Sequence, residues 1–173
     1  MVLSRAAMDK LKKIWKNRKI SKATKIWLVK TLVFPIFLDA AETWTLRQTE
    51  TKKIDALEMC CWRKMLGISW TEFRTNASIL EELGLKERLS TLVRRRIFKY
   101  FGHICRRDCI ERLVIQGKVD GTRPRGRSSM RWTDQIKTAV GGPVNECARM
   151  TASRQKWREV VRRTLTASGE LPS

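Results

Sequence analysis

Apolar residues recur along most of the chain at intervals of three, four and seven residues, a spacing that places them on one face of a helix. The stripes are Leu3, Ala7, Leu11, Ile14 and Trp15; Ile54, Leu57, Cys61 and Met65; Ile79, Leu80 and Leu83; Leu89, Val93, Ile97, Tyr100, Phe101 and Ile104; Trp132, Ile136 and Val140; and Met150, Trp157, Val161 and Leu165. A trace of the period-two alternation typical of a strand occurs in residues 43–46. The pattern predicts an all-α protein, a bundle of about six to seven helices with a C-terminal helical hairpin.

Residues with strong preferences for helix ends divide these stripes into elements. Ser21 predicts the start of a helix that ends near Pro35, and Asn76 predicts the start of another. Gly67 and Gly84 each predict the end of a helix. Gly102 lies inside the long fifth helix, where glycine costs about 1 kcal/mol relative to alanine, so we expect it to permit a close approach or a bend.

A change in composition near the middle of the second half predicts the domain organisation. Residues 117–129, GKVDGTRPRGRSS, contain three glycines and one proline and no apolar run. We therefore predict a helical bundle over residues 1–116, a basic Arg/Gly linker over 117–129 and a C-terminal helical pair over 130–166.

The apolar stretch at residues 26–38 is interrupted and is shorter than the roughly 20 residues of a membrane span. Five irregularly spaced cysteines favour a reduced intracellular compartment, the nucleus or the cytoplasm.

The charge of the chain indicates a polyanionic partner. Its 173 residues include 37 Lys and Arg against 17 Asp and Glu, a net charge of +20. The first 85 residues carry 11 lysines and 5 arginines, whereas the remainder carries 5 lysines and 16 arginines. Because the planar guanidinium of arginine grips phosphate oxygens in pairs, the second part is typical of a contact surface for nucleic acid.

Several basic groups are candidates for contact with RNA or DNA phosphates. In the fifth helix the basic residues lie on one face, opposite the apolar stripe; in the last helix they repeat every four residues, and we expect Glu159 to lie too far round the helix to neutralise them. The alternative is a helical protein-interaction module with a basic surface that only aids solubility. The candidate residues are Lys12, Lys16 and Lys19; Arg88, Arg95, Lys99 and Arg106; Arg123, Arg125 and Arg127 of the linker; Arg131; and Arg154, Arg158 and Arg162.

The sequence shows no catalytic chemistry and predicts no cofactor. No pair of adjacent aspartates offers a two-metal site, and the single histidine, His103, excludes two-histidine metal motifs. His103, Cys105 and Cys109 lack the spacing of a zinc knuckle, so we predict no metal, and their roles stay open. Of the seven tryptophans, Trp15, Trp27, Trp132 and Trp157 lie on apolar stripes and are predicted in the core, whereas Trp44 and Trp70 lie in loops where they could stack on bases.

Five segments, taken in order, resemble one protein family. They read WKNRKISKATKIWLVKTLVFPIFLDAAETWTL, KKIDALEMCCWRKMLGISWTEFRTNASILEELG, RRRIFKYFGHICRRD, GTRPRGRSSMRWTDQIK and ARMTASRQKWREVV. Together they resemble the region downstream of the polymerase palm in the endonuclease-reverse transcriptases of non-LTR retrotransposons, the RTE-like LINE elements. The most specific matches are Glu42-Thr43-Trp44, Leu66-Gly67-Ile68, Asn76, Gly102-His103, Arg125-Gly126-Arg127 with Arg131-Trp132, and Arg154 with Trp157-Arg158. The family usually has Tyr-Gly-Ser or similar before the Glu-Thr-Trp, where this chain has Asp39-Ala40-Ala41.

The resemblance implies a thumb-like region that holds template–primer duplex or element RNA. In the family the fingers, the palm with its catalytic aspartates and the endonuclease lie upstream, and none of them is present in this chain. The resemblance therefore implies that the parent protein is an RNA-directed DNA polymerase, that this chain is inactive alone, and that its partners are nucleic acid and the upstream palm. The chain starts with its own Met1, and whether it is an expressed protein or a truncated copy of an element stays open. The preference between RNA and DNA and the oligomeric state stay open.

Overall fold

The computed structural model describes residues 2–85, 87–117 and 130–168, with only the backbone described at residues 70, 116, 167 and 168. Within these ranges the chain is helical and contains no β-strand, which confirms the all-α prediction, although the helical segments are more numerous than six to seven. The α-helices are α1 (Val2–Lys10), α2 (Lys12–Lys16), α3 (Lys22–Leu28), α4 (Phe34–Phe37), α5 (Gln48–Leu66), α6 (Asn76–Glu82), α7 (Leu89–Cys105), α8 (Ile110–Gln116), α9 (Trp132–Val140), α10 (Val144–Met150) and α11 (Arg154–Ser168). A π-helical segment (Val29–Val33) and two 3-10 turns (Ala41–Thr43 and Trp70–Glu72) complete the described elements.

The chain forms two compact units, and the boundary between them along the sequence falls within α7. The first unit contains the described residues 2–41, 48–85 and 87–92, and the second contains the described residues 42–47, 93–117 and 130–168. The predicted division at the Arg/Gly linker stays a prediction, since residues 118–129 lie outside the described ranges.

The core of the first unit is built around Trp62. This side chain is completely buried in α5, and Phe34 of α4 meets it edge-on with a ring-centroid separation of 5.4 Å. Met8 of α1 and Trp15 of α2 are also buried, and the Trp15 Nε1–H donates to the backbone oxygen of Met8 at 2.9 Å. Residues of α1, α2, α4 and α5 thus form this core, whereas α3 contributes no buried residue to it.

The helix that Ser21 begins passes from α3 through the π-helical segment into α4 and ends at Phe37, two residues after Pro35, which confirms the predicted end near Pro35. The N–H of Phe34 bonds to the backbone oxygen of Val29, five residues earlier, at the end of the π-helical segment. This places Pro35 in the first turn of α4, the part of a helix in which proline is best tolerated.

The other predicted helix ends of the first unit agree closely with the structure. Ser21 caps α3 and its Oγ accepts from the Thr24 N–H, as predicted. Gly67 and Gly84 follow α5 and α6 in the left-handed conformation, with φ of +73° and +58°. Asn76 is the first helical residue of α6 rather than its cap; Thr75 takes that position, and its side chain accepts from the Ser78 N–H.

The core of the second unit is built around Trp157 of α11. Its ring packs against Phe98 and Phe101 of α7, at centroid separations of 6.2 and 5.5 Å, and its Nε1–H donates to the backbone oxygen of Phe98 at 3.0 Å. A Cβ atom added at Gly102 would lie 2.6 Å from Cδ1 of Trp157. The expectation that Gly102 permits a close approach is therefore confirmed, and the element that approaches is α11.

Residues 42–47 join this unit through side chains of α9. The Trp132 Nε1–H donates to the backbone oxygen of Glu42 at 2.9 Å. The side-chain amide of Gln135 donates to the backbone oxygen of Trp44 and accepts from the Leu46 N–H. These bonds satisfy backbone groups that no β-partner satisfies, so the trace of strand pattern in this segment does not produce a strand.

The predicted C-terminal hairpin contains three helices, because the last stripe is divided between α10 and α11. Met150 ends α10, and the backbone turns over residues 151–153 before Arg154 begins α11. The Thr151 Oγ–H bonds back to the Ala148 oxygen, and the Ser153 oxygen accepts from the Trp157 N–H as the first bond of the next helix. Hydroxyl side chains that compete for backbone partners favour such a break.

Candidate nucleic-acid interface

Three of the predicted arginines come together in the second unit. Arg106 directly follows α7, and Arg154 and Arg158 lie one turn apart on the exposed face of α11. The half-buried Arg106 donates from Nη1 to the backbone oxygen of Thr151 at 3.2 Å, which holds its guanidinium beside the start of α11. We call Arg106, Arg154 and Arg158 the arginine cluster.

The arginine cluster concentrates positive charge that no carboxylate offsets within the described part of the chain. Burial lowers the pKa of Arg106, and the positive charges of Arg154 and Arg158 lower it further. Cys105 acts in the opposite direction, and no Asp or Glu of the described residues forms an ion pair with this guanidinium. An anion bound here would offset this repulsion, because guanidinium groups bind phosphate oxygens through short, charge-assisted hydrogen bonds.

Buried contacts position the arginine cluster. Trp157 lies between Arg154 and Arg158 in sequence but points to the opposite side of α11, where it is buried against α7. Its close approach at Gly102 sets α11 beside the end of α7, from which Arg106 extends. The apolar face of α11 therefore determines where its basic face lies.

Arg88 does not belong to the predicted phosphate-facing ridge of the fifth helix. It precedes α7 in the first unit and donates from Nε to Glu58 Oε2 at 2.7 Å, with Asp55 at 3.4 Å. The Glu58 side chain is 1% exposed, and a buried carboxylate needs a counter-charge. This ion pair occupies the guanidinium that the sequence predicted to face a phosphate.

Arg162 forms an ion pair with Glu159, contrary to the expectation from the sequence. The Arg162 Nη2 lies 2.7 Å from Glu159 Oε2, and Arg163 Nε lies 2.8 Å from Oε1. The hydrogen bonds from Arg162 and Arg163 hold the pKa of Glu159 below its usual range. The expectation that Glu159 lies too far round the helix is wrong, since a spacing of three or four residues brings the two side chains together.

The other predicted arginines and lysine of the second unit do not join the arginine cluster. Arg95 and Lys99 are exposed on α7. Arg131 is exposed at the start of α9, where its backbone N–H bonds to the Asp134 carboxylate at 2.7 Å. Three further predicted residues lie outside the described ranges: Arg123, Arg125 and Arg127.

In the first unit the predicted lysines lie at and after α2. Lys12 and Lys16 are exposed, form no ion pair with any described residue, and line a groove of about 710 Å³. Lys19 is exposed in the following loop, and its backbone N–H bonds to the Asn17 side chain at 2.9 Å. The sequence analysis named these lysines as candidates for phosphate contact, but their spacing did not reveal that Lys12 and Lys16 line a groove.

The tryptophans follow the predicted division in part. Trp15 and Trp157 are buried as predicted, and Trp132 is half-buried. The core assignment of Trp27 is wrong, because its side chain is 61% exposed on α3. Trp44 is half-buried in residues 42–47.

Two negative findings apply to the residues that the structure describes. No group of three or more His, Cys, Asp and Glu side chains is placed to hold a metal ion there. Across the same residues, no helix combines the length and the apolar character needed to cross a membrane.

The sequence reasoning also missed Phe73, a loop residue that is 86% exposed with φ of +50°.

Comparison with known proteins gives one distant relative. The chain is 22% identical over 159 residues to a putative uncharacterized transposon-derived protein of Caenorhabditis elegans. The matched region covers 85% of this chain and 57% of the relative, so the chain spans little more than half of that protein's length. No protein-family model matches the chain, and no solved structure matches it. The similarity indicates a relation to transposon-derived proteins.

Proposed function

We propose that the chain is a nucleic-acid-binding, thumb-like region related to retrotransposon reverse transcriptases, which holds template–primer duplex or element RNA through phosphate contacts. The observation that carries the proposal is the arginine cluster, in which the bond from Arg106 to the Thr151 oxygen holds its guanidinium beside the start of α11, where Arg154 and Arg158 lie, with no ion pair to a described carboxylate. The transposon-derived relative supports the element origin. The ordered resemblance to the region downstream of a polymerase palm supports the reverse transcriptase assignment.

The proposed contacts lie in two regions and address the nucleic-acid backbone. Arginine and lysine contacts to phosphates position a protein on nucleic acid without reading its sequence. Lys12 and Lys16 in the first unit, with the arginine cluster, Arg95, Lys99 and Arg131 in the second, are the proposed contacts. Arg123, Arg125 and Arg127 remain proposed contacts of the linker. Arg88 is excluded by its ion pair with Glu58.

Salt dependence of binding tests this function. The purified chain is titrated against fluorescently labelled random-sequence duplex and single strand at increasing salt concentration. If the chain binds phosphates, the logarithm of its association constant should fall linearly with the logarithm of the salt concentration. The slope should be about −0.9 per phosphate contact for duplex and about −0.7 per contact for single strand. Folded protein that shows no binding at low salt would refute the proposal.

Primer extension tests the proposed division of labour. The palm and its catalytic aspartates are missing from this chain, so we expect it to add no nucleotide to a primer–template by itself. Nucleotide incorporation that persists through purification to homogeneity would contradict this part of the proposal. A palm-containing fragment added in trans shows whether the chain increases the processivity of a polymerase.

A second candidate function is a helical protein-interaction module. It is supported by large apolar side chains exposed on one helical stretch of the first unit, namely Trp27 at 61%, Leu32 at 47% and Ile36 at 43%. Salt separates the two functions, because apolar docking does not weaken as salt rises while phosphate binding does.

A further inference from the structure

The groove that Lys12 and Lys16 line in the first unit has the composition of a site for an anionic organic ligand. Its walls come from α1, α2, α3 and the C-terminal ends of α5 and α6. Six cationic and two acidic side chains line it, so its net charge is +4. Both acids are already paired with lysines of the wall, Asp9 with Lys64 at 2.9 Å and Glu82 with Lys22.

The unpaired cations of the groove lie on and after α2. Lys12, Lys16 and Arg18 form no ion pair within the described part of the chain. Lys25 of α3 donates from Nζ to the backbone oxygen of Trp15 at 2.7 Å, which fixes the corner between α2 and α3. The arrangement holds several positive charges along a wall whose backbone is fixed, which suits a ligand with more than one phosphate.

The size and the floor of the groove indicate more than inorganic phosphate. Buried apolar side chains, Met8, Trp15 and Met65, contribute to its lining. Its volume of about 710 Å³ lies within the range of about 300–1,000 Å³ typical of sites for small organic ligands, enough for about one or two unpaired nucleotides. A duplex is too wide to enter such a groove, whereas single strands bind where a basic groove tracks the backbone and apolar or aromatic surface receives the bases.

An exposed aromatic residue lies in a loop that is tied to the groove wall. Phe73 is 86% exposed and has a φ of +50°, a conformation that is strained for a bulky residue. The next residue, Arg74, forms an ion pair with Glu82 of the wall. This exposed aromatic ring does not pack in the core, and it can stack on an unpaired base.

We propose that this groove binds a single-stranded segment of nucleic acid, with Lys12 and Lys16 on its phosphates and Phe73 as a stacking platform for a base. The proposal rests on the proposed nucleic-acid-binding function and deepens it, because it assigns unpaired nucleotides to the first unit. Duplex contacts then belong to the arginine cluster of the second unit.

Fluorescence anisotropy with two labelled probes tests the proposal. One probe is oligo(dT) of about ten nucleotides, within the usual site sizes for single strands, and the other is a blunt-ended duplex of random sequence. The variants are Lys12→Ala/Lys16→Ala and Phe73→Ala, all at exposed positions. Lys52→Ala/Lys53→Ala, also exposed in the first unit but outside the groove lining, is the charge control, and Trp27→Ala is the exposed aromatic control.

The expected result is selective loss of single-strand binding. Lys12→Ala/Lys16→Ala weakens oligo(dT) binding about tenfold at low salt and lowers the salt slope by up to about 1.4, the value for two phosphate contacts. Phe73→Ala weakens it at least about fivefold, the lower end of what one stacked base contributes. Both variants bind the duplex like the wild type, and both controls bind oligo(dT) like the wild type.

Four other results would overturn the proposal. The groove variants could bind oligo(dT) unchanged, or they could lose affinity for both probes equally, as a general loss of charge would cause. If the wild-type chain bound neither probe, both the proposed function and this inference would fail. Wild-type binding that depends on the arginine cluster but not on Lys12, Lys16 or Phe73 would leave the proposed function intact and refute only the groove.

Discussion

Replacing Gly102 by alanine tests whether the approach of α11 to α7 organises the second unit. In a solvent-exposed helix interior this change stabilises by about 1 kcal/mol, because alanine is the better helix former. Here the added Cβ would lie 2.6 Å from Cδ1 of Trp157, well inside van der Waals contact. Gly102 and Trp157 are both buried, so neither side can yield into solvent.

The structure gives the size and the sign of the effect. Overpacking a core costs about 1–3 kcal/mol. If the Trp157 ring moves aside, its Nε1–H loses the Phe98 oxygen and becomes a buried unsatisfied donor, at a cost of about 1–3 kcal/mol. After the gain in helix propensity, we expect Gly102→Ala to lower the free energy of unfolding by about 1–5 kcal/mol.

Urea unfolding of the wild type, Gly102→Ala, Trp157→Phe and the double variant measures this effect and its cause. Phenylalanine lacks the Nε1–H and the five-membered ring that the new Cβ would meet. Gly102→Ala should therefore cost at least about 1 kcal/mol less in the Trp157→Phe background, a coupling that a double-mutant cycle detects. Equal or greater stability of Gly102→Ala in the wild-type background would refute the close approach of α11 to α7.

Two further predictions concern buried polar groups. Arg88→Ala leaves the Glu58 carboxylate buried without its counter-charge and should lower the free energy of unfolding by about 3–5 kcal/mol. Replacing both residues by methionine should restore much of this loss. If Arg88→Ala were as stable as the wild type in urea, the result would contradict the ion pair. Burial raises the pKa of Cys61 to about 12 and of Cys105 to about 11, so iodoacetamide should label the half-buried Cys60 and Cys109 first, as peptide mass spectrometry would show. Folding raises these two pKa values, so the folded chain favours the neutral thiols. The resulting contribution to the free energy of unfolding is fully present below the ordinary thiol pKa of 9.0, and it is lost as the pH rises from 9.0 towards 11–12.

The sequence predicted those parts of the fold that depend on neighbouring residues. Glycine at 67 and 84 ends helices because it enters the left-handed conformation without a steric penalty, a property that is visible in the sequence. How the helix accommodates Pro35, two residues before its end at Phe37, was not visible in the sequence. It depends on the π-helical segment that places the proline in the first turn of α4.

Assignments that depend on distant partners were less predictable. Helical periodicity placed Arg88 on a basic face, but it could not reveal that Glu58, thirty residues earlier, is buried beside it. Trp27 lies on an apolar stripe in the sequence, yet the core of the first unit is filled by other residues and Trp27 stays exposed. The arginine cluster was predicted as separate residues of two helices, and only the packing of Trp157 brings them together.

The most direct test of the central claim, that the arginine cluster binds nucleic-acid phosphates, is the salt slope of duplex binding by Arg154→Ala/Arg158→Ala. Arg162→Ala/Arg163→Ala is the matched control, since it removes two exposed arginines of the same helix that Glu159 already pairs with. We predict that the first variant binds more weakly and loses up to about 1.8 from the slope, the value for two duplex phosphate contacts. The control should keep a slope close to that of the wild type. Equal slopes and affinities for the wild type and Arg154→Ala/Arg158→Ala would contradict the account.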